Sequence, residues 1–217
     1  MIAGLSGFRQ SFFEALIKID HFMAAETAEK ACRKIQPMAF IDNVVTPVLT
    51  KLGNDWERGN LSLTHIYLGG LLCEEIIESI LPPEGTPRAN SPRMAVVTLM
   101  DSHPLGKKIV LSVLRSAGYR PLDYGHSIPP EEVVERALTD RLEMILISVL
   151  MYPSAIHIQR VRELLRKMNA SIKIIVGGAP FNFDTHLWKK VGADAMGSSA
   201  GDAISLVENI HQGKKYL

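Results

Sequence analysis

The sequence predicts a two-domain protein, a helical bundle followed by a doubly wound α/β domain, and three observations support this prediction. Apolar residues recur at three- and four-residue intervals through residues 5–81, which is typical of amphipathic helices. Three of the next six residues are proline, as in a linker. From residue 93 onward, short apolar runs alternate five times with helical patterns, which predicts a parallel sheet covered by helices on both faces.

The N-terminal part, residues 1–81, is predicted to form a four-helix bundle. Its helices are expected over about residues 6–19, 24–36, 37–54 and 63–80, with short connections between them. Pro37 suits the first turn of the third helix, and Gly59-Asn60 interrupts the pattern before the fourth. Residues 82–92 are assigned to a Pro-rich linker and residues 93–217 to the α/β domain.

The α/β domain is predicted to contain five strands, at residues 94–99, 119–123, 144–149, 173–176 and 195–197. Helical segments are expected between and after them, over about residues 105–117, 130–140, 154–168, 184–191 and 201–211. Five strand–helix repeats with right-handed crossovers predict a five-stranded parallel sheet of the Rossmann or flavodoxin-like kind.

Composition and charge narrow the classes of function. The formal net charge is +1, from 24 basic and 23 acidic residues, which argues against a nucleic-acid partner or a membrane surface. Polar residues interrupt the apolar residues near the N-terminus, unlike a signal sequence or a spanning helix, so the expected compartment is the cytoplasm. Cys32 and Cys73 lack the spacing of a disulfide framework and are predicted to be reduced core residues.

Polar and small residues gather at the predicted carboxyl ends of the strands, where open α/β sheets bind ligands. His103 follows the first strand, and Asp101 can bond one imidazole nitrogen and leave the other free as a metal ligand. The other candidate residues at this edge are Ser102, Gly106, Ser148, Leu150, Ser154, Gly177, Gly178, Gly197 and Ser198. The small residues among them leave a slot beside the sheet for a long ligand.

These residues carry a specific resemblance to a known family. Asp101-Ser-His-Pro-Leu-Gly106, Ser148-Val-Leu150 and Gly177-Gly178 occur in the order and at the spacing of D-x-H-x-x-G, S-x-L and G-G. This is the pattern of cobalamin-binding domains. The sequence is similar to those of methionine synthase, of corrinoid proteins in methyltransferase systems and of cobalamin-dependent mutases. The resemblance covers residues 93–210.

The resemblance implies that cobalamin is the cofactor and that His103 is the lower axial ligand of cobalt, replacing the benzimidazole of the cofactor. Asp101 would hydrogen-bond the other imidazole nitrogen, and Ser154 would bond Asp101 in turn. The slot for the displaced nucleotide tail would be lined by Ser148, Leu150, Gly177 and Gly178, with Gly106 at its mouth. Pro104 stands where the family often has Asp, and it is compatible with the start of a helix.

Residues 52–62 of the bundle resemble the helical cap that lies over the upper face of the corrin in these proteins. Trp56 is closer to cobalamin-dependent light sensors and regulators than to methyl carriers, which usually have Phe. Those sensors follow the Trp with a Glu-His pair, where this chain has Ile66 and Tyr67, and His65 is out of register. Trp56 is a predicted contact of the upper corrin face, with packing in the protein as the alternative.

Two functions follow from the resemblance. The first is a corrinoid carrier subunit, which receives a methyl group from a substrate-specific methyltransferase and delivers it through an acceptor-specific one, without being a complete enzyme. The alternative is a non-catalytic cobalamin sensor or antirepressor that controls a protein partner. A mutase subunit ranks third, because mutase domains do not normally carry the helical bundle. The chain could also pair with a second copy as a homodimer.

Overall fold

A computed structural model describes residues 4–81 and 83–214 of the protein. The chain divides into two compact units, Met1–Pro82 and Pro83–Leu217. The first unit is helical and the second combines helices with a parallel sheet, so the predicted fold class is confirmed. Within the described ranges, no helix has both the length and the hydropathy needed to cross a membrane.

The helices of the first unit are α1 (Leu5–Lys18), α2 (His21–Cys32), α3 (Pro37–Phe40), α4 (Thr46–Glu57) and α5 (Leu63–Ile80). The predicted third helix is interrupted by a π-helical turn over Ile41–Val45, between α3 and α4. Pro47 explains the irregularity, because proline cannot donate to the carbonyl four residues earlier. The carbonyl oxygen of Asn43 instead accepts a hydrogen bond of 2.6 Å from Nε of Arg9.

Aromatic rings and a glycine organise the core of the helical unit. Phe12 and Phe40 are fully buried and meet edge to face with 5.4 Å between their ring centroids, a favourable aromatic geometry. Gly69 allows α5 to approach α1 closely, since a Cβ there would lie 3.2 Å from the carbonyl oxygen of Leu16.

The second unit contains β1 (Met94–Thr98), β2 (Leu122–Asp123), β3 (Met144–Ser148), β4 (Lys173–Gly177) and β5 (Ala195–Gly197). All neighbours pair in parallel, in the order β2-β1-β3-β4-β5. The chain therefore reverses its direction of travel across the sheet between β1 and β3, the place where doubly wound folds bind ligands.

The helices of this unit are α6 (Leu105–Ser116), α7 (Pro130–Thr139), α8 (Tyr152–Ile156), α9 (Ile158–Lys167), α10 (Ala179–Phe183), α11 (Leu187–Lys190) and α12 (Asp202–His211). The segment predicted at 154–168 is thus divided into α8 and α9. The segment predicted at 184–191 is shortened to α11, and α10 is an additional short helix before it. The strand predicted at 119–123 is reduced to the two residues of β2. Helices α6 and α12 pack on one face of the sheet, and α7 and α9 on the other.

Residues 84–88, here called the strap, lie within the predicted linker and are bound to the α/β unit. The backbone N–H of Gly85 donates to the carbonyl oxygen of Arg115 at 2.9 Å. Arg88 donates to the carbonyl oxygen of Ala117 at 2.8 Å and to Glu208 at 2.7 Å. The strap therefore joins the end of α6 to α12, and it is not a free connection.

Candidate functional site

The turn between β1 and α6 is organised by the carboxylate of Asp101. The Asp101 side chain is completely buried. Its Oδ1 atom accepts hydrogen bonds from the backbone N–H of His103 at 3.0 Å and from Nδ1 of the same residue at 2.6 Å. Its Oδ2 atom accepts from the backbone N–H groups of Leu150 and Met151, at 2.7 and 2.9 Å. Four N–H donors thus bond one carboxylate, two from the turn after β1 and two from the segment after β3.

Burial on its own raises the pKa of the Asp101 carboxyl, but the hydrogen bonds, led by that from Met151, outweigh it and hold the pKa below its ordinary value. The carboxylate is therefore ionised at neutral pH and can only accept. This requires the proton of the neutral imidazole of His103 to lie on Nδ1, which leaves the lone pair on Nε2. The His103 side chain is 50% exposed, so that lone pair is accessible to a metal.

Ser154 does not complete the predicted relay to Asp101. Its hydroxyl is buried and donates to the carbonyl oxygen of Met100 at 2.9 Å. Its single proton therefore bonds the backbone of the residue before Asp101 and not the Asp101 carboxylate. The place expected for Ser154 is taken by the backbone N–H groups of Leu150 and Met151. Ser154 instead supports Met100, which has a φ of 45°, and so helps to shape the turn.

Small residues lie in register across four strands beside this turn. We call this set, Thr98, Ser148, Gly177 and Gly197, the small-residue row. Thr98 pairs with Ser148, Ser148 with Gly177, and Gly177 with Gly197. Because side chains alternate along a strand, the row lies on the face that α6 and α12 cover. A Cβ on Gly106 of α6 would lie 2.6 Å from Oγ of Ser148, so these predicted residues are brought together.

Thr98 was not singled out by the sequence, where it simply ends an apolar strand. Its hydroxyl oxygen is fully buried, and among the residues that the structure describes it is the buried side-chain atom with no hydrogen-bond partner. An unpaired buried hydroxyl costs free energy, and a ligand placed along the row could bond it. The row thus fits a long polar ligand better than the glycines alone indicate.

Gly178 has a backbone role that differs from the predicted lining of the slot. Its φ is 121°, and a Cβ there would lie 1.9 Å from the carbonyl oxygen of Val149. The missing side chain therefore lets the turn after β4 pass directly against the segment that supplies the N–H groups to Asp101. Leu150 belongs to this segment, and its side chain is 47% exposed.

The other predicted residues make none of the hydrogen bonds to Asp101 described above. Ser102 is exposed beside His103. The backbone N–H groups of Ser198 and Ser199 both donate to Asp202 at 2.9 Å, which holds the turn after β5 on the start of α12. Trp56 lies on α4 in the helical unit, with 47% of its surface exposed.

The donor set restricts which metal group His103 could hold. Within the described residues, no group of three or more His, Cys, Asp or Glu side chains is arranged to hold a metal ion. A metal bound through His103 would therefore have to bring most of its ligands with it, as the four equatorial nitrogens of a corrin do. A doubly wound sheet with a histidine presented by a buried carboxylate and an adjoining row of small residues is typical of a cofactor-binding protein.

Comparisons with known proteins agree with this class. Residues 94–207 match the family model of a B12 binding domain, and residues 9–80 match a second B12 binding domain model. Trimethylamine corrinoid protein 1 of Methanosarcina acetivorans is 30% identical over 205 residues, covering 91% of this chain and 94% of the relative. Dimethylamine corrinoid protein 1 of Methanosarcina mazei is 29% identical over 211 residues, covering 94% and 96%.

Solved structures show the same fold. The monomethylamine corrinoid protein of Methanosarcina barkeri superimposes with a TM-score of 0.82 at 21% identity, covering 96% of this chain and all of that one. The protein therefore belongs to the B12-binding family, and its cofactor is cobalamin. It is a corrinoid-binding protein homologous to the methylamine corrinoid proteins of methanogens.

Proposed function

We propose that the protein is the corrinoid carrier of a methyltransferase system, with cobalt held through His103. The observation that carries this proposal is the similarity to a trimethylamine corrinoid protein, which spans both units and 94% of that relative. The class of methyl source is accordingly a methylated amine. The proposed partners are a methyltransferase specific for that amine and a second one specific for the acceptor, and the proposed compartment is the cytoplasm.

When bound, cobalamin supplies a cobalt atom that accepts and releases methyl groups. The protein's part is to hold and orient it. His103 would hold the cobalt through Nε2, while Asp101 keeps the proton on Nδ1 and fixes the plane of the ring. Removing the hydrogen-bond partner of a metal-binding histidine typically lowers metal affinity or activity by about 10- to 100-fold.

The small-residue row is the proposed place for the nucleotide tail that His103 displaces. Gly106 and Gly197 lie close to Ser148 and to Leu206 of α12, since a Cβ on them would come within 2.6 and 3.2 Å of those side chains. The tail would therefore enter this row as α6 and α12 move away from the sheet. The hydroxyls of Thr98 and Ser148 are polar atoms in this row that can bond the tail. Leu150, Gly178, Ser102 and Ser198 would flank the site, and Trp56 stays a predicted contact of the cofactor.

The first experiment identifies the axial ligand. The protein is loaded with cobalamin, reduced to paramagnetic Co(II), and studied by electron paramagnetic resonance after growth with ¹⁵N-histidine. We expect the axial nitrogen splitting to change from a triplet to a doublet on labelling, and to disappear in His103→Ala. His186→Ala, an exposed histidine at the start of α11, is the matched control and should keep the splitting. A triplet that persists after labelling would refute ligation by histidine.

The second experiment separates carrier from sensor. The loaded protein is mixed with candidate amine methyltransferases and isotope-labelled mono-, di- or trimethylamine, and the label bound to the protein is counted. Transfer of the label supports the carrier. If no methylamine labels the protein with any candidate, while light or a change of upper ligand alters its oligomeric state, the sensor replaces the carrier.

A further inference from the structure

Lys107 is a buried charge that the proposed function does not use. It lies in the first turn of α6, four residues after His103, and its side chain is only 5% exposed. Its ammonium group donates a hydrogen bond to Oδ1 of Asp123, at the end of β2. Lysine is almost never buried to this degree unless it is paired, and removing its charge from water costs several kcal/mol. A leucine or methionine would fill the same space without that cost.

Asp123 connects this lysine to the segment that follows β2. We call residues 123–128 the β2 loop. Oδ1 of Asp123 also accepts the backbone N–H of Gly125 at 2.8 Å. The carbonyl oxygen of Gly125 in turn accepts the N–H of Thr98 at 3.1 Å. The ion pair with Lys107 therefore fixes the first half of the β2 loop against the end of β1.

The second half of the β2 loop is bonded to the residues that carry His103. The N–H of Met100 donates to the carbonyl oxygen of Ile128 at 3.1 Å, and the N–H of Ser127 donates to the carbonyl oxygen of Asp101 at 2.9 Å. The hydroxyl of Ser127 reaches the same oxygen at 3.3 Å. The turn between β1 and α6, here called the ligand turn, is thus held by the β2 loop on one side and by Leu150 and Met151 on the other.

We propose that Lys107 is a positioning residue for His103, and that its ion pair with Asp123 holds the β2 loop so that the imidazole points in one fixed direction. This inference rests on the proposed ligation of cobalt by His103. Helix α6 carries Lys107 and begins immediately after the ligand turn, while the β2 loop is bonded along that turn. The pair therefore joins the two segments on either side of His103, which explains why a buried charge is placed there.

The test compares Lys107→Met with Lys107→Arg and with Lys167→Met in the full chain loaded with cobalamin. Methionine keeps the volume and removes the charge, whereas arginine keeps a charge-assisted bond to Asp123. Lys167 is exposed on α9, so its replacement controls for the change in net charge. Two quantities are measured, the dissociation constant for cobalamin and the fraction of bound Co(II) cofactor that shows the ¹⁵N-histidine doublet.

For Lys107→Met we expect the dissociation constant to rise about tenfold and the histidine-ligated fraction to fall. Lys107→Arg and Lys167→Met should behave like the wild type. The ligated fraction is counted only in folded, loaded protein. If Lys107 merely stabilises the fold, Lys107→Met would lower the midpoint of chemical unfolding and leave the histidine-ligated fraction unchanged. That result would overturn the positioning role. A wild type without the doublet would instead refute the proposed function itself.

Discussion

The turn that carries His103 and the small-residue row beside it are built from the ends of the same strands, yet their polar atoms are treated differently. In the turn, each oxygen of Asp101 accepts two hydrogen bonds. In the row, the buried hydroxyl of Thr98 has no partner among the residues that the structure describes. The turn is complete without a ligand, whereas the row has bonding capacity left for one.

This difference indicates that the turn and the row have separate roles within one site. A metal ligand has to be oriented before the metal arrives, because reorganising it on binding would cost affinity. A nucleotide tail is long and polar, so the segment that receives it needs space and unpaired hydrogen-bonding atoms. Single substitutions in the turn and in the row can therefore test the two roles separately.

Gly178→Ala should cause the largest loss. Its Cβ would lie 1.9 Å from the carbonyl oxygen of Val149, at a φ of 121°, so the free energy of unfolding should fall by about 3 kcal/mol or more. Gly177→Ala is the matched control, since its Cβ would be 3.4 Å from its nearest neighbour outside the strand. We expect Gly177→Ala to fold almost normally but to bind cobalamin less tightly. Chemical denaturation and a cobalamin titration measure both effects, and equal stability of the two variants would contradict the role of Gly178.

Asp101→Asn tests the turn. An amide offers one oxygen where the carboxylate offers two, so one pair of donors loses its acceptor, either the N–H groups of Leu150 and Met151 or the two nitrogens of His103. We expect a loss of about 1–3 kcal/mol of stability and of about 10- to 100-fold in cobalamin affinity. Glu163→Gln, an exposed change on α9, serves as the control. Unchanged cobalamin affinity in Asp101→Asn would show that the turn does not prepare His103.

Thr98→Val tests the row, and its two effects should have opposite signs. Replacing an unpaired buried hydroxyl with a methyl group should stabilise the cofactor-free protein by about 1 kcal/mol. The same change should weaken cobalamin binding several-fold, because a bond to the tail is lost. Ser154→Ala removes a hydroxyl that is already bonded, so it should destabilise the protein instead. If Thr98→Val binds cobalamin as tightly as the wild type, its hydroxyl does not contact the cofactor.

Trp56→Ala should have the smallest effect on stability. The residue is 47% exposed. Truncation should therefore lower the free energy of unfolding by about 1 kcal/mol, which is less than most core substitutions cost. A much larger loss would support the packing role for Trp56, whereas a selective loss of cobalamin affinity would support contact with the cofactor. Thermal unfolding with and without cobalamin distinguishes the two outcomes.

Much of the fold and site could be predicted because the signals are local. The alternation of apolar strands and amphipathic helices determines the parallel sheet, and the spacing of Asp101, His103 and Gly106 belongs to one turn. The partner of Ser154 could not be predicted, because it depends on how a residue 54 positions away meets the carbonyl of Met100. The burial of Lys107 was likewise missed, since the sequence around a single lysine in a helix does not show that a carboxylate 16 residues away, at the end of β2, will pair with it.

The strap has a consequence for where the α/β unit can be cut from the chain. Residues 94–207 match the B12 binding domain, yet Tyr119, only 2% exposed, lies beneath the guanidinium of Arg88 at 4.5 Å. Gly85 and Gly118 each approach the opposing backbone so closely that a Cβ would come within 2.3 Å of a carbonyl oxygen. A fragment that starts at Met94 would expose the surfaces of Tyr119 and Gly118 that the strap covers, so we expect an α/β fragment to need the strap as well.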